Sequence, residues 1–332
     1  MRRRRLCPRS TDLSMQKVAV GLVLLCFLAI FAAKGWAAAK NAKPSLDEAL
    51  AHLKVPPDWF DQVKVEYDTS KPWQDARLEV RRLLAENKNR EAIKLTVLYL
   101  HKGDIGDGHE YPMYLYMGGE YAWAVQEYRK RLAARPAGAT HQYLCLAACY
   151  RHFGRYKDAL ELLDVALQRL PDPPWRIAGE ADVHDYLGDL CAEMGDIDQA
   201  KQHYQKAIAL YPTSDQPYGQ HLLHRYAAKV KAKLDLLMME AIGSSKLRDG
   251  TYTGQSLGYV DDVTVTVTIK ASKIADVRVQ HQEKIDQNAT TIIPQRIVAK
   301  QSLKVDGVTG ATVTCDAIID GALQALRKAG LK

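Results

Sequence analysis

The chain has 332 residues, 47% of them hydrophobic and 26% charged, enough for roughly two domains with cores of their own and too apolar for a disordered chain. Its formal net charge is +7, but Arg2, Arg3, Arg4, Arg5, Arg9, Lys17 and Lys34, set against Asp12 alone, place nearly all of it before residue 40. The remainder is close to neutral, which argues against the basic footprint that a phosphate backbone demands and so against a nucleic-acid partner.

Behind the basic start, "VAVGLVLLCFLAIFAA" runs apolar from Val18 to Ala33, and Ala37 and Ala39 in "KGWAAAK" have the small-residue pattern of a signal-peptidase site. Residues 1–39 therefore read as an export segment, either a signal peptide or an N-terminal membrane anchor. The run is shorter than the ~20 residues that span a bilayer, which favours cleavage. The expected location is the periplasm or the outer face of the cytoplasmic membrane, with membrane association through residues 18–33 if the segment is retained. Cys26 follows the bulky Leu25, which disfavours lipidation, and the four arginines lie too far ahead of the apolar run for a twin-arginine signal. Residues 40–75 read as a linker and lead-in.

From 76 to 242 the chain repeats itself. With Ala124, Ala159 and Ala200 in register, Gly119, Gly154 and Gly195 precede them, and Tyr128, Leu163 and Tyr204, then Pro136, Pro171 and Pro212, follow at constant offsets. Such a unit is a helix-turn-helix in which Gly ends the first helix, Ala permits close contact, the bulky residue fills the groove and Pro stops the second helix. It resembles the tetratricopeptide repeat, most closely in "YLGDLCAEMGDIDQAKQHYQKAIALYP" (Tyr186 to Pro212), with Leu187 and Gly188 at the family's first-helix positions. Ala92 with Asn87 marks a degenerate copy upstream, "PDPPWRIAGE" is an insertion, and His221 to Ile242 supplies a capping helix. The resemblance implies an all-α helical solenoid whose concave face docks a partner protein, or else a rigid spacer.

Cys145, Cys149, Cys191 and Cys315 show no CxxC or CxxCH spacing. Cys145 and Cys149 share one helix face, where two thiols suit a metal or a bridge; small buried residues at helical spacing are the simpler reading, and both are expected to pack.

After a linker at 243–247 the pattern changes to alternation. In "DDVTVTVTIK" Val263, Val265, Val267 and Ile269 take one side and Thr264, Thr266 and Thr268 the other, the period of a half-buried strand. "ASK" turns into a second strand, "IADVRVQHQ", whose terminal His281 is read as solvated. A helical piece around Pro294 to Ser302, a short strand "LKVD" and an amphipathic helix beginning near Asp316 complete a small α+β domain over residues 248–332.

Just before that last helix stands "DGVTGATVTC". Gly307 and Gly310 permit a tight backbone, and Thr314 lies one or two residues ahead of the expected helix start, suiting either a plain N-cap or the helix N-terminus at which a phosphate binds. No Lys follows the glycines, which excludes a P-loop. The segment resembles the acceptor motif D-x-x-[ST]-G-A-[ST]-x-T of the FMN-binding domain family, which is related to flavin-bearing components of the sodium-pumping NADH:quinone oxidoreductase and of the Rnf electron-transport complex. Asp306, Thr309, Gly310, Ala311, Thr312 and Thr314 fill every specified position, with Val313 between the last two, and "DGTYTG" (Asp249 to Gly254) belongs to the same resemblance. The resemblance implies FMN joined through its phosphate to the Thr314 oxygen, installed by a separate flavin transferase that uses FAD and Mg²⁺ and reads Asp306 as part of its signal.

The sequence shows no Ser-His-Asp set, paired carboxylates or metal-ligand cluster, and a flavin brings its own redox chemistry. Two functions are open: an extracytoplasmic electron carrier whose repeats dock a redox partner, and a repeat scaffold for envelope assembly with a vestigial or regulatory FMN domain. The intact motif favours the first. A reductase with its own small-molecule substrate is weaker, since both regions are already assigned, so the chain reads as an electron carrier more than as a stand-alone enzyme.

Overall fold

The repeats owe their shape to four recurring residues, and the structure shows each in its place. The computed structural model describes residues 44–331 except 107, 218, 240–245 and 309. The export segment expected at 1–39, Thr309 and part of the linker at 243–247 lie outside the described residues. A short helix α1 (Leu46–Ala51) is followed by α2 (Trp73–Ala85) and α3 (Asn89–Lys102), α4 (Glu110–Met117) and α5 (Tyr121–Ala134), and α6 (Thr140–His152) and α7 (Tyr156–Gln168). Then come α8 (Arg176–Met194), α9 (Ile197–Leu210) and the long α10 (Gln220–Met238).

Gly119, Gly154 and Gly195 adopt φ of 88°, 70° and 81° just past the first helix of each pair, a left-handed step that ends a helix without a Cβ clash. Ala124, Ala159 and Ala200 are fully buried, and Tyr128, Leu163 and Tyr204 fill the space between helices. Pro136 and Pro171 stand beyond the ends of α5 and α7, while Pro212 closes α9 in a single 3-10 turn, Tyr211–Thr213. Ala92 is buried and Asn87 left-handed, so the degenerate copy forms a hairpin of the same design. Gly188 is required by contact: a β-carbon there would collide with the Tyr204 ring.

The stretch ahead of the first hairpin is packed onto it. Leu46 and Phe60 are buried, Lys94 Nζ donates to the Phe60 and Val63 carbonyls at 2.7 Å each, and the Tyr99 hydroxyl donates to the Lys71 carbonyl at 2.6 Å.

The C-terminal part is an antiparallel sheet in the order β1 (Gly250–Leu257), β2 (Asp262–Lys270), β3 (Lys273–Gln280), with α11 (Ala289–Lys300) and α12 (Thr312–Ala329). Val263, Val265, Val267 and Ile269 are buried and the threonines between them half-buried. The β2–β3 turn puts Ala271 and Ser272 at positive φ, and Asp249 holds it by accepting both backbone amides, at 2.9 and 3.0 Å. Residues 303–306 form no strand: Leu303 is buried as an anchor, and the Val305 amide turns back to the Leu303 carbonyl at 3.0 Å instead of joining a ladder.

Helix α12 lies close on this sheet because two glycines face each other. A β-carbon on Gly254 would collide with the Gly321 carbonyl oxygen, and one on Gly321 would sit 2.8 Å from Val265 Cγ2. The approach lets Ile318, Leu323 and Leu326 bury completely, each worth about 1.5–3 kcal/mol of apolar transfer. Repeats and sheet belong to one compact unit, Leu46–Lys332. Among the described residues no helix is long and apolar enough to cross a membrane.

Candidate functional site

The motif forms the approach to α12. Lys300 Nζ sits 3.1 Å from Asp306 Oδ2 and holds that exposed carboxyl below the usual carboxylate range. Arg296 donates to the backbone carbonyls of Asp306 and Gly307. The Val308 amide donates to Cys315 Sγ at 3.2 Å, and Gly310 takes φ 83°, which its lack of a side chain permits.

The last helix starts earlier than the sequence suggests. It begins at Thr312 instead of near Asp316, so Thr312, Val313 and Thr314 are its first three residues, and the Cys315 amide closes the first turn onto the Ala311 carbonyl at 2.9 Å. Thr314 is not the N-cap; Ala311 is, and it makes no side-chain cap bond. β-Branched residues are poor in helix interiors, but at the first turn their amides have no partner within the helix to begin with. Val313 points outward, 39% exposed, while Thr314 is 2% exposed.

Two groups from distant parts of the chain bracket Thr314. Its Oγ1 donates to Glu283 Oε2 at 2.5 Å, and the other carboxylate oxygen of Glu283 accepts the Val260 amide at 2.9 Å. From the repeat side, Lys229 of α10 donates to the Leu257 carbonyl at 3.0 Å and to the Val313 carbonyl at 3.2 Å. Lys229 is buried, and desolvation pushes its pKa down. One turn along α10, Lys233 Nζ lies 3.0 Å from each of Asp185, Asp189 and Asp316. Burial opposes the charge of Lys233, but the three carboxylates outweigh it and hold its pKa well above the usual range. Burial raises Asp185 against the pull of Lys233. This cluster ties α8 and α10 of the repeats to the first turn of α12.

A second seam joins the motif to the repeats. Gly310 contributes a backbone hydrogen bond to the Tyr116 hydroxyl of α4, Gln287 Nε2 donates to the Met117 carbonyl at 2.9 Å, and Ile285 packs against the repeat core.

These residues suit a phosphate ester. The first turn of α12 offers backbone amides without intrahelical partners and the positive end of the helix dipole, and Lys229 adds a buried cation one residue away. An ester on Thr314 Oγ1 would leave Glu283 without this hydrogen bond.

Of the residues singled out in the sequence, Asp306, Gly310, Ala311, Thr312, Val313 and Thr314 come together around the start of α12, and His281 is exposed. Sequence reading missed Glu283, Lys229, Lys233, Asp185, Asp189 and Tyr116. Glu283 in "VQHQEK" stands two residues from His281 without any local signal of its own. Lys229 and Lys233 carry one, two lysines a helical turn apart on a capping helix, but it is the ordinary signal of a solvated face. Cys145 and Cys149 also part company: Cys149 is buried as expected, whereas Cys145 is only half-buried beside His141. No group of His, Cys, Asp and Glu side chains suited to a metal ion occurs among the described residues.

Comparison with known proteins agrees with this geometry. Residues 258–327 match the model of the FMN-binding domain and residues 139–213 that of the tetratricopeptide repeat. Among curated proteins, an NADH:acrylate oxidoreductase of Vibrio harveyi is 30% identical over 173 residues, which is 51% of this chain and 16% of that protein. The chain thus spans a small fraction of that relative's length. No solved structure matches the chain. The chain carries tetratricopeptide repeats followed by an FMN-binding domain, and its cofactor is FMN.

Proposed function

We propose that the chain carries FMN covalently on Thr314 and works outside the cytoplasm as an electron-transfer module, with the repeats holding a redox partner protein. The observation that carries this reading is the setting of Thr314: a hydroxyl in the first turn of a helix, inside the acceptor motif, held by a carboxylate and one residue from a buried ammonium. When bound, FMN supplies the reversible uptake and release of electrons.

The chain's own residues do the rest. Glu283 takes the proton that Thr314 Oγ1 loses as a flavin transferase moves the FMN phosphoryl group from FAD onto that oxygen and AMP departs. The helix amides and Lys229 offset the negative charge of the ester. Asp306, exposed at the surface, is available for the transferase to read. The likeness to NADH:acrylate oxidoreductase over about half of this chain supports a redox role within a larger system. The basic, apolar start of the chain supports export, and attachment then follows export.

The test is direct. Full-length protein produced with its export segment and a flavin transferase is expected to fluoresce on a denaturing gel and to carry the FMN mass on the peptide that holds Thr314. Absence of both, in cells that flavinylate a control acceptor, overturns the attachment. A chain starting at Lys40 and kept in the cytoplasm, with the transferase confined outside, is expected to lack flavin and to gain it on addition of transferase, FAD and Mg²⁺. Full modification inside those cells overturns the location.

A further inference from the structure

The repeats hold a polar centre that the flavin site does not use. His141 and Cys145 are one turn apart on α6, and His141 Nε2 lies 3.5 Å from Cys145 Sγ. The buried Tyr128 hydroxyl of α5 has no nitrogen or oxygen partner and faces the same sulfur. From α8, Asp182 stands close enough to His141 to favour its charged form, and Tyr186 shares the field of Cys145. On α6 itself, Cys149 lies one turn further on and is completely buried. Cys145 is half-buried beside His141, whereas Cys149 is completely buried.

The surroundings favour the ion pair. Burial alone would raise the Cys145 thiol, but the contact with His141, with the Tyr128 hydroxyl nearby, outweighs it and brings its pKa below the usual value. The same contact raises His141. Asp182, pushed up to about 6 by burial and hydrogen-bonded by the Tyr211 hydroxyl at 2.8 Å, is ionised at neutral pH and supports the imidazolium. A thiolate beside a cationic histidine is the reactive form of cysteine.

We propose that Cys145, paired with His141, is a nucleophilic thiol on the repeats at which low-molecular-weight disulfides form a mixed disulfide. The Cys145 proton passes to His141 Nε2, and Sγ attacks one sulfur of the disulfide. One S–S bond forms as the other breaks, and the departing thiolate leaves as a thiol after taking up a proton. Cys145 is oxidised and the leaving half is reduced, so no further oxidant is needed. The centre is independent of Thr314, and its test does not depend on flavin.

The experiment uses the full-length protein, native and denatured, with iodoacetamide and with oxidised glutathione, each site read by peptide mass mapping. Cys145 is expected to alkylate ahead of the buried Cys149, Cys191 and Cys315, with its rise in rate at lower pH than in the denatured chain. His141→Gln is expected to slow alkylation at pH 7 by about threefold or more, the gap between the two rates narrowing as pH rises. Oxidised glutathione is expected to give a reducible adduct on Cys145, absent in Cys145→Ser. Identical pH profiles for native and denatured wild type, or reaction of Cys145 only after denaturation, would overturn the proposal, and neither readout needs the variant to fold.

Discussion

Thr314 Oγ1 and Glu283 Oε2 stand 2.5 Å apart, joined by a hydrogen bond across 31 positions of sequence. The bond sets a proton acceptor against the hydroxyl that the motif presents. Thr314→Val keeps the shape and removes the nucleophile, so denaturation-resistant flavin is expected to vanish while the far-UV circular dichroism stays unchanged. Glu283→Gln keeps the shape and weakens the acceptor, and transfer from FAD by purified transferase is expected to slow at least tenfold. An unchanged rate in Glu283→Gln would reduce the carboxylate to a structural contact.

The Lys233 cluster predicts a pH-dependent loss. Lys233→Met strands Asp185, Asp189 and Asp316 around a missing cation, and breaking a buried pair by removing one partner costs about 3–5 kcal/mol; partial solvent access lowers the expectation to roughly 2–4 kcal/mol at pH 7.5. Without the lysine the folded-state pKa of Asp185, already raised by burial, rises further, so the native form binds more protons than the unfolded chain as pH falls towards 5. The deficit relative to wild type is therefore expected to shrink at pH 5. Urea midpoints at the two pH values check this, and a deficit that grows on acidification contradicts it.

Glycine contacts can be weighed against each other. Gly254→Ala drives a β-carbon against the Gly321 carbonyl and is expected to cost about 2–3 kcal/mol, since backbone cannot step aside as a side chain can. Gly307→Ala, with nothing within 4 Å, is expected to change stability by less than about 0.5 kcal/mol. The pair of urea midpoints decides whether close packing sets the position of α12.

His184 and His203 meet with their Nδ1 atoms 3.0 Å apart. Burial, with His203 and Lys206 nearby, pushes His184 down to about 4. The unfolded chain protonates this histidine near pH 6.5 and the folded chain does not, so its contribution is whole above pH 6.5 and is lost as pH falls towards 4. Wild type is expected to lose roughly 2 kcal/mol on this account by pH 4.5, and His184→Gln to lose less. Asp182, raised to about 6 by burial, acts in the opposite direction over the same range, so the difference between the two proteins is the quantity to measure. Parallel pH curves for both would refute the assignment.

The repeats and the strands β2 and β3 were legible in the chain itself because their signals are local, whereas β1 was not read as a strand. Gly, Ala, Tyr or Leu, and Pro recur at constant offsets since each acts within one helical hairpin, and the Val/Thr alternation of β2 follows from a pleat with one buried side. The acceptor motif is contiguous, so it too could be read without a fold. Tertiary structure decided the rest. Leu303 became an anchor in a turn, and not part of a strand, because no neighbouring edge took up its backbone. Helix α12 gained its first turn at Thr312, and burial of Thr314 against Glu283 accompanies that start. Glu283, Lys229 and Lys233 reach the site across 31 or more positions from their partners on α12, and no spacing encodes such meetings. They exist because the capping helix of the repeats and the flavin-domain helix share one buried seam, where a charge is tolerated only beside the partner that the fold brings to it.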